Sequence, residues 1–206
     1  LVRNLPAFAG FLRIAAIGDT EILNYTNVAR ECGVSLPTVK AHHGILEDTL
    51  LGRSLPAFTL RPKRRAILTP KFDFADVGVV NHLAARGPLA PGSELFGKAL
   101  ESVIHHELCA YREYRERPWS MSYWRLASGI EVDFVLGAAE VAIEVESTTN
   151  VTTQHLDGLG AFREEYPEGK RRILVCLEPR RRTLESGIEV LPVTTFLRDL
   201  WSGRIA

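Results

Sequence analysis

Apolar residues at three- and four-residue spacing open the chain: Leu5, Phe8, Phe11, Leu12 and Ala15 predict a helix. Asn24 stands where an N-cap would stand, before a second helix over Tyr25 to Cys32. Gly33-Val34-Ser35 predicts a tight turn, and Ser35 caps a third helix with Pro37 in its first turn, running through Val39 to about Leu46. Leu50 to Phe58 and Lys71 to Phe74 predict strands, joined by the basic stretch Arg61-Pro62-Lys63-Arg64-Arg65. Asp76 then caps a short helix holding Val79, Val80 and Leu83. Gly87-Pro88-Leu89-Ala90-Pro91-Gly92 continues neither helix nor strand, so the chain is divided there, into residues 1–92 and 93–206.

Beyond the break, Ser93 caps a long helix whose apolar stripe is Leu95, Phe96, Leu100, Val103, Ile104, Leu108 and Tyr111. Three short strands follow, Met121 to Leu126, Ile130 to Leu136 and Glu140 to Val145, with Gly129 and Gly137 in the turns. A helix over Thr153 to Tyr166, a buried strand over Arg172 to Leu177, a strand over Ile188 to Leu191 and a helix over Val193 to Trp201 complete the pattern. The order α-β-β-β-α-β-β-α predicts an α/β sheet with helices on its faces, after a first half of α+β character.

The first half has the pattern of a winged helix-turn-helix. Counting from Tyr25, small Ala29 falls at the fifth position, Gly33 at the ninth, in the turn, and Val39 at the fifteenth. His42 stands at the eighteenth, where an apolar contact is expected. As a DNA reader, the module would present Thr38, Lys40 and Ala41 to the groove, and Arg61, Lys63, Arg64 and Arg65 to phosphates. Its third helix offers Lys40 as the sole cation and no Arg, Asn or Gln for bidentate base contacts. The alternative is a module packed on a neighbouring domain, with a solvated basic wing.

Composition narrows the field. Of 206 residues, 46% are apolar and 24% charged, which excludes a largely disordered chain. Lys+Arg and Asp+Glu both number 25, but the zero balance is a cancellation. Residues 1–92 carry 11 basic against 7 acidic side chains, and residues 93–206 carry 14 against 18. No apolar run reaches the roughly 20 residues of a membrane span, and no basic-then-apolar leader opens the chain. Three scattered cysteines, Cys32, Cys109 and Cys176, argue against a disulfide framework or a Cys-rich zinc site, and fit a reducing cytoplasm. The chain begins with Leu1 rather than Met, the expectation for a piece of a longer protein.

Carboxylates carry the candidate chemistry. Period-2 alternation puts Glu131, Asp133 and Val135 on one strand face, and Glu144 and Glu146 on one face of the next strand. A short turn makes these strands antiparallel neighbours, so Asp133 and Glu144 are expected to aim at one spot, which Glu101 on the preceding helix can approach. Such a cluster repels itself unless a cation sits in it. Carboxylate oxygens suit Mg²⁺ or Mn²⁺, which activate water and stabilise charge on a phosphate in transfer.

On these residues the second half resembles the PD-(D/E)XK, restriction-endonuclease-like family. That resemblance implies a metal-dependent phosphodiesterase site in which Glu101 is the helical acid, Asp133 the strand acid and Glu144 the first residue of a Glu-X-Lys motif. Glu146 occupies the position of the family Lys. A carboxylate there supplies no positive charge to a pentacovalent phosphate, though it would serve as a general base or a further metal ligand. The whole chain further resembles the C-terminal part of bacterial AAA-type ATP-binding proteins, in Leu5-Pro6-Ala7-Phe8, Lys71-Phe72-Asp73-Phe74-Ala75-Asp76-Val77-Gly78, Tyr123-Trp124-Arg125, Glu131-Val132-Asp133-Phe134 and Ile143-Glu144-Val145-Glu146. This likeness implies an upstream ATPase domain as partner, and the chain itself holds no Gly-x-x-x-x-Gly-Lys-[Ser/Thr]. Two functions are therefore expected: Mg²⁺-dependent hydrolysis of DNA, or a catalytically silent module that binds nucleic acid or protein and regulates the ATPase. An oligomer is compatible with either.

Other residues draw blander expectations. His105 and His106 are adjacent on a helix and do not face each other, while Glu101 and His105 are spaced for a surface ion pair. Lys170-Arg171-Arg172 and Arg180-Arg181-Arg182 would be solvated strand ends or phosphate grips. Arg125 would restore a cation to the acid cluster if it faced that way.

Overall fold

The computed structural model describes residues 2, 4–60 and 67–206. Among them it is mixed α/β, with seven α-helices and two sheets. Two compact units result, one from the described residues of Leu1–Leu55 and Thr69–Leu89, the other from those of Pro56–Leu68 and Ala90–Ala206. No helix among the described residues is long and apolar enough to cross a membrane.

The first unit is built by caps and one shared core. Helix α1 (Leu5–Ile17) starts where the Asn4 side chain accepts the Ala7 N–H at 3.1 Å, and it buries Phe11, Ala15 and Ala16. Helix α2 (Tyr25–Cys32) begins at Asn24 in the same way and stops at Gly33, whose φ of 63° is a left-handed conformation that glycine adopts without strain. Helix α3 (Leu36–Asp48) follows, capped by Ser35. Strands β1 (Gly52–Leu55) and β2 (Lys71–Phe74) pair antiparallel, and α4 (Val77–Leu83) is capped by Asp76, which accepts the Val79 N–H at 2.9 Å. Phe11, Val39, Leu46, Phe72, Phe74 and Val80 form the core. The expected strand over Leu50 to Phe58 is shorter than its sequence pattern. It ends at Leu55 because Pro56 has no N–H for the ladder. From Pro56 the chain serves the second unit: its carbonyl accepts from Tyr123, and Phe58 N–H donates back to the Tyr123 carbonyl.

The second unit opens with α5 (Glu94–Tyr114), where Ser93 accepts the Phe96 N–H at 3.2 Å. Strands β3 (Met121–Arg125), β4 (Glu131–Leu136) and β5 (Val141–Val145) form an antiparallel meander. A 3-10 turn (Thr153–Leu156) and α6 (Asp157–Glu165) cross over to β6 (Arg171–Cys176), parallel to β5. Strands β7 (Arg182–Thr183) and β8 (Glu189–Pro192) and helix α7 (Val193–Trp201) complete it. The sheet order is β3-β4-β5-β6-β8-β7. Trp124, Val132, Val135, Ala142, Leu174 and Cys176 meet Leu159 and Phe162 of α6 on one face. Phe134 faces the other way, its ring 5.5 Å from that of His105 on α5.

One irregularity governs the site. Ser122 pairs with Val135, and Trp124 with Val132. Two steps on β3 thus match three on β4, so β4 bulges by one residue at Asp133 and Phe134. Val132 and Val135 both reach the α6 face, and Asp133 is turned away from Val135 onto the side of Glu131 and Phe134.

Candidate functional site

Ligand oxygens of Glu101, Glu131 and Asp133 lie within 4.8 Å of one another. Helix α5 supplies Glu101, held in place by a buried stripe that includes Ile104, Leu108 and Tyr111. Strand β4 supplies the other two from alternate positions. Asp133 is only 8% exposed. Its Oδ2 accepts the Val145 N–H at 2.8 Å, beyond the last β4–β5 pair, Phe134 with Ile143. The side chain thereby takes over a ladder hydrogen bond where the two strands part. Glu131 stands opposite Arg125 in the β3–β4 register, and the two form an ion pair. Arg125, whose facing the sequence left open, thus brings one positive charge to the group.

The donor set suits a hard divalent cation. Oxygens bound to one Mg²⁺ at about 2.1 Å lie no more than roughly 4.2 Å apart, so three carboxylates within 4.8 Å need only small side-chain adjustments to share an ion.

The expected meeting of Asp133 with Glu144 does not occur in this group, which Glu144 does not join. Alternation from Ala142 puts Glu144 on the α6 face, and a Cβ placed on Gly158 of α6 would lie 3.1 Å from its Oε2. The β4 bulge is the reason: with unbroken alternation Asp133 would share the face of Val135 and Glu144. Glu146 extends the same strand edge, its N–H bonded to the Val175 carbonyl at 2.9 Å. Burial pushes its carboxyl pKa up, and nearby His155 pulls it partly back. Glu131, given no role in the sequence reading, takes the third place. Its signal was its position two residues before Asp133.

The remaining candidates separate. Thr38 turns its hydroxyl to Ser35 Oγ at 2.8 Å, within the α3 cap. Lys40 is exposed, with Nζ 5.5 Å from the centre of the Tyr25 ring. Arg61, Lys63, Arg64 and Arg65 lie outside the described residues. His105 is buried rather than at the surface, and His106 is exposed. The basic runs are engaged elsewhere: Lys170 with Glu140, Arg171 with Glu189, Arg181 with Asp199 and Arg182 with Glu178.

Two family profiles match the chain. Residues 96–196 match a domain of unknown function, DUF4143, and residues 1–90 match a second, DUF8612. DUF4143 domains are typically found in C-terminal regions of AAA-type ATPase proteins. No curated protein and no solved structure matches the chain.

Proposed function

We propose that this chain is the C-terminal effector region of a cytoplasmic AAA-type ATP-binding protein, and that its second unit is a nuclease-like domain hydrolysing DNA phosphodiesters with Mg²⁺ or Mn²⁺. The observation that carries the reading is the convergence of Glu101, Glu131 and Asp133 from a helix and a strand. When bound there, the ion would supply an activated water and charge stabilisation for the phosphate. Asp133, fixed by the Val145 N–H, and Glu101 would hold it. Arg125, through Glu131, would position the third acid and limit the negative charge that faces an incoming phosphate. The first unit would be a winged helix-turn-helix that contacts DNA through Thr38, Lys40 and the basic stretch from Arg61 to Arg65.

The test is incubation of the purified chain with plasmid DNA across a Mg²⁺ and Mn²⁺ series. Metal-dependent nicking is expected, with loss of at least about a hundredfold in Asp133→Ala and Glu101→Gln. No nicking, or nicking that survives Asp133→Ala, refutes the hydrolase.

A second reading has its own support: Glu146 stands where the family resemblance implies a Lys, and Glu144 stays outside the acid group. On this reading the second unit binds a nucleic acid or protein partner and regulates the ATPase without chemistry. A DNA mobility shift that is insensitive to metal, with no turnover, favours it.

A further inference from the structure

Two guanidinium groups of the second unit converge on one carbonyl. Arg163 of α6 donates from Nη1 to the Ser186 carbonyl at 3.1 Å, and Arg172 of β6 donates to the same oxygen from Nη2. Sharing one acceptor holds the two nitrogens within about 6 Å of each other, two hydrogen-bond lengths. Like charges that close repel unless an anion sits between them. Neither guanidinium has a carboxylate partner among the described residues. The adjoining cations are neutralised, Lys170 by Glu140 and Arg171 by Glu189, and exposed Glu185 beside Ser186 pairs with neither guanidinium. Each fork uses one N–H on Ser186 and keeps its other donors open. Burial and the Arg163 charge both lower the Arg172 pKa, so the two cations sense each other. Gly187 brings no side chain over the pair, where a Cβ would lie 3.4 Å from Arg172 Nη2. Arg163, Ser186 and Gly187 are exposed, so a ligand can reach the two forks.

We propose that Arg163 and Arg172 form a binding site for a phosphate monoester. A carboxylate offers two oxygens and one charge, enough for one fork. Two forks call for a third oxygen and a second charge, and a monoester dianion supplies both. The phosphodiester of a nucleic acid carries one charge and fits less well. Arg172 stands opposite Ala142 in the β5–β6 register, and alternation with Leu174 puts it on the α6 face, away from Glu101, Glu131 and Asp133. The site is therefore separate from the acid group and needs neither metal nor DNA.

Glucose 6-phosphate is the probe. It is titrated into the full chain without metal, at fixed ionic strength and about pH 7, where a monoester is mostly dianionic. Arginine Nε–Hε resonances report the site, and calorimetry the affinity. Saturable shifts of Arg163 and Arg172 are expected. Dimethyl phosphate and acetate should bind at least about tenfold more weakly, the effect of losing one charge-assisted hydrogen bond. Arg163→Gln, at an exposed position, should weaken glucose 6-phosphate by a similar factor. Lys170→Gln, which removes a neighbouring cation outside the site, should change it by less than about twofold. A short phosphoserine peptide is the second arm: saturable binding of either monoester supports the site, and the tighter of the two names its source. The proposal is overturned by no saturable shift with either monoester, by equal affinities for glucose 6-phosphate, dimethyl phosphate and acetate, or by equal losses in Arg163→Gln and Lys170→Gln. Arg163-dependent binding of a DNA oligonucleotide tighter than both monoesters also overturns it, in favour of a nucleic-acid backbone.

Discussion

Acidification should destabilise the first unit through its two buried histidines, His42 and above all His43, since burial lowers the pKa of both. Burial lowers the His43 pKa from 6.5 to about 4, with Glu47 pulling it upward and His42 pushing it further down. Below about pH 6.5 the unfolded chain therefore takes up a proton that the folded chain refuses, so stability is complete above that pH and falls toward pH 4. The full shift is worth about 3 kcal/mol, and about 2 kcal/mol of it is lost between roughly pH 7 and pH 5. Single surface groups rarely exceed about 0.5 kcal/mol, so the effect is measurable. His43→Phe keeps an aromatic ring among Phe11, Tyr25 and Phe72 and removes the His43 titration. All three Trp belong to the second unit, so fluorescence is blind to the first. Hydrogen exchange of the Phe11, Val39 and Leu46 amides, all in buried positions, reports it instead. The wild type should lose about 2 kcal/mol more than the variant over that interval. Equal losses in the two proteins, or a His43 ring that titrates near 6.5 by NMR, refute this account.

Three further substitutions bear on the second unit, each followed by urea unfolding with Trp fluorescence. Gly158→Ala would put a Cβ 1.9 Å from the Glu131 carbonyl oxygen, a backbone atom with no room to retreat, and should cost about 3 kcal/mol. Ser93→Ala removes the cap of α5 and should cost about 1 kcal/mol. Arg125→Gln removes the cation paired with Glu131; it should cost about 1 kcal/mol without metal and raise Mg²⁺ affinity several-fold by calorimetry.

The helices were legible because caps and apolar stripes are local signals. Asn24, Ser35, Asp76 and Ser93 each accept the N–H three residues on, as their types and positions predict. Strand β7 was not legible: Arg182 and Thr183 are both exposed, so no apolar alternation marks them, and pairing with β8 alone makes them a strand. The fate of Pro56 to Phe58 was equally hidden, because their partner is Tyr123, far along the chain. His43 reads as a polar residue on a helix, and its burial follows from rings supplied by α1, α2 and β2. At the acid group the residue types were visible but not their faces. Glu131-Val132-Asp133-Phe134-Val135 reads identically with or without a bulge, and the extra residue is set by pairing with β3.

That bulge changes what Glu146 means. On the family resemblance alone, Glu146→Lys would supply the implied cation and be the natural route to a gain of cleavage. The structure gives Glu144 to the α6 face, and Glu146, two residues on, shares it by alternation. Burial raises the Glu146 pKa, and His155 partly offsets the rise. By that alternation Glu146 lies on the α6 face and not with the group of Glu101, Glu131 and Asp133. A Lys at this position would meet His155, a like charge when protonated, and would replace a partly buried acid by a longer cation. The expected result is no gain of DNA cleavage in the plasmid assay and no change in Mg²⁺ affinity beyond about twofold by calorimetry. If Glu146→Lys instead confers metal-dependent nicking, then Glu146 reaches the acid group in solution, and the division of acids between the two faces of the sheet is wrong.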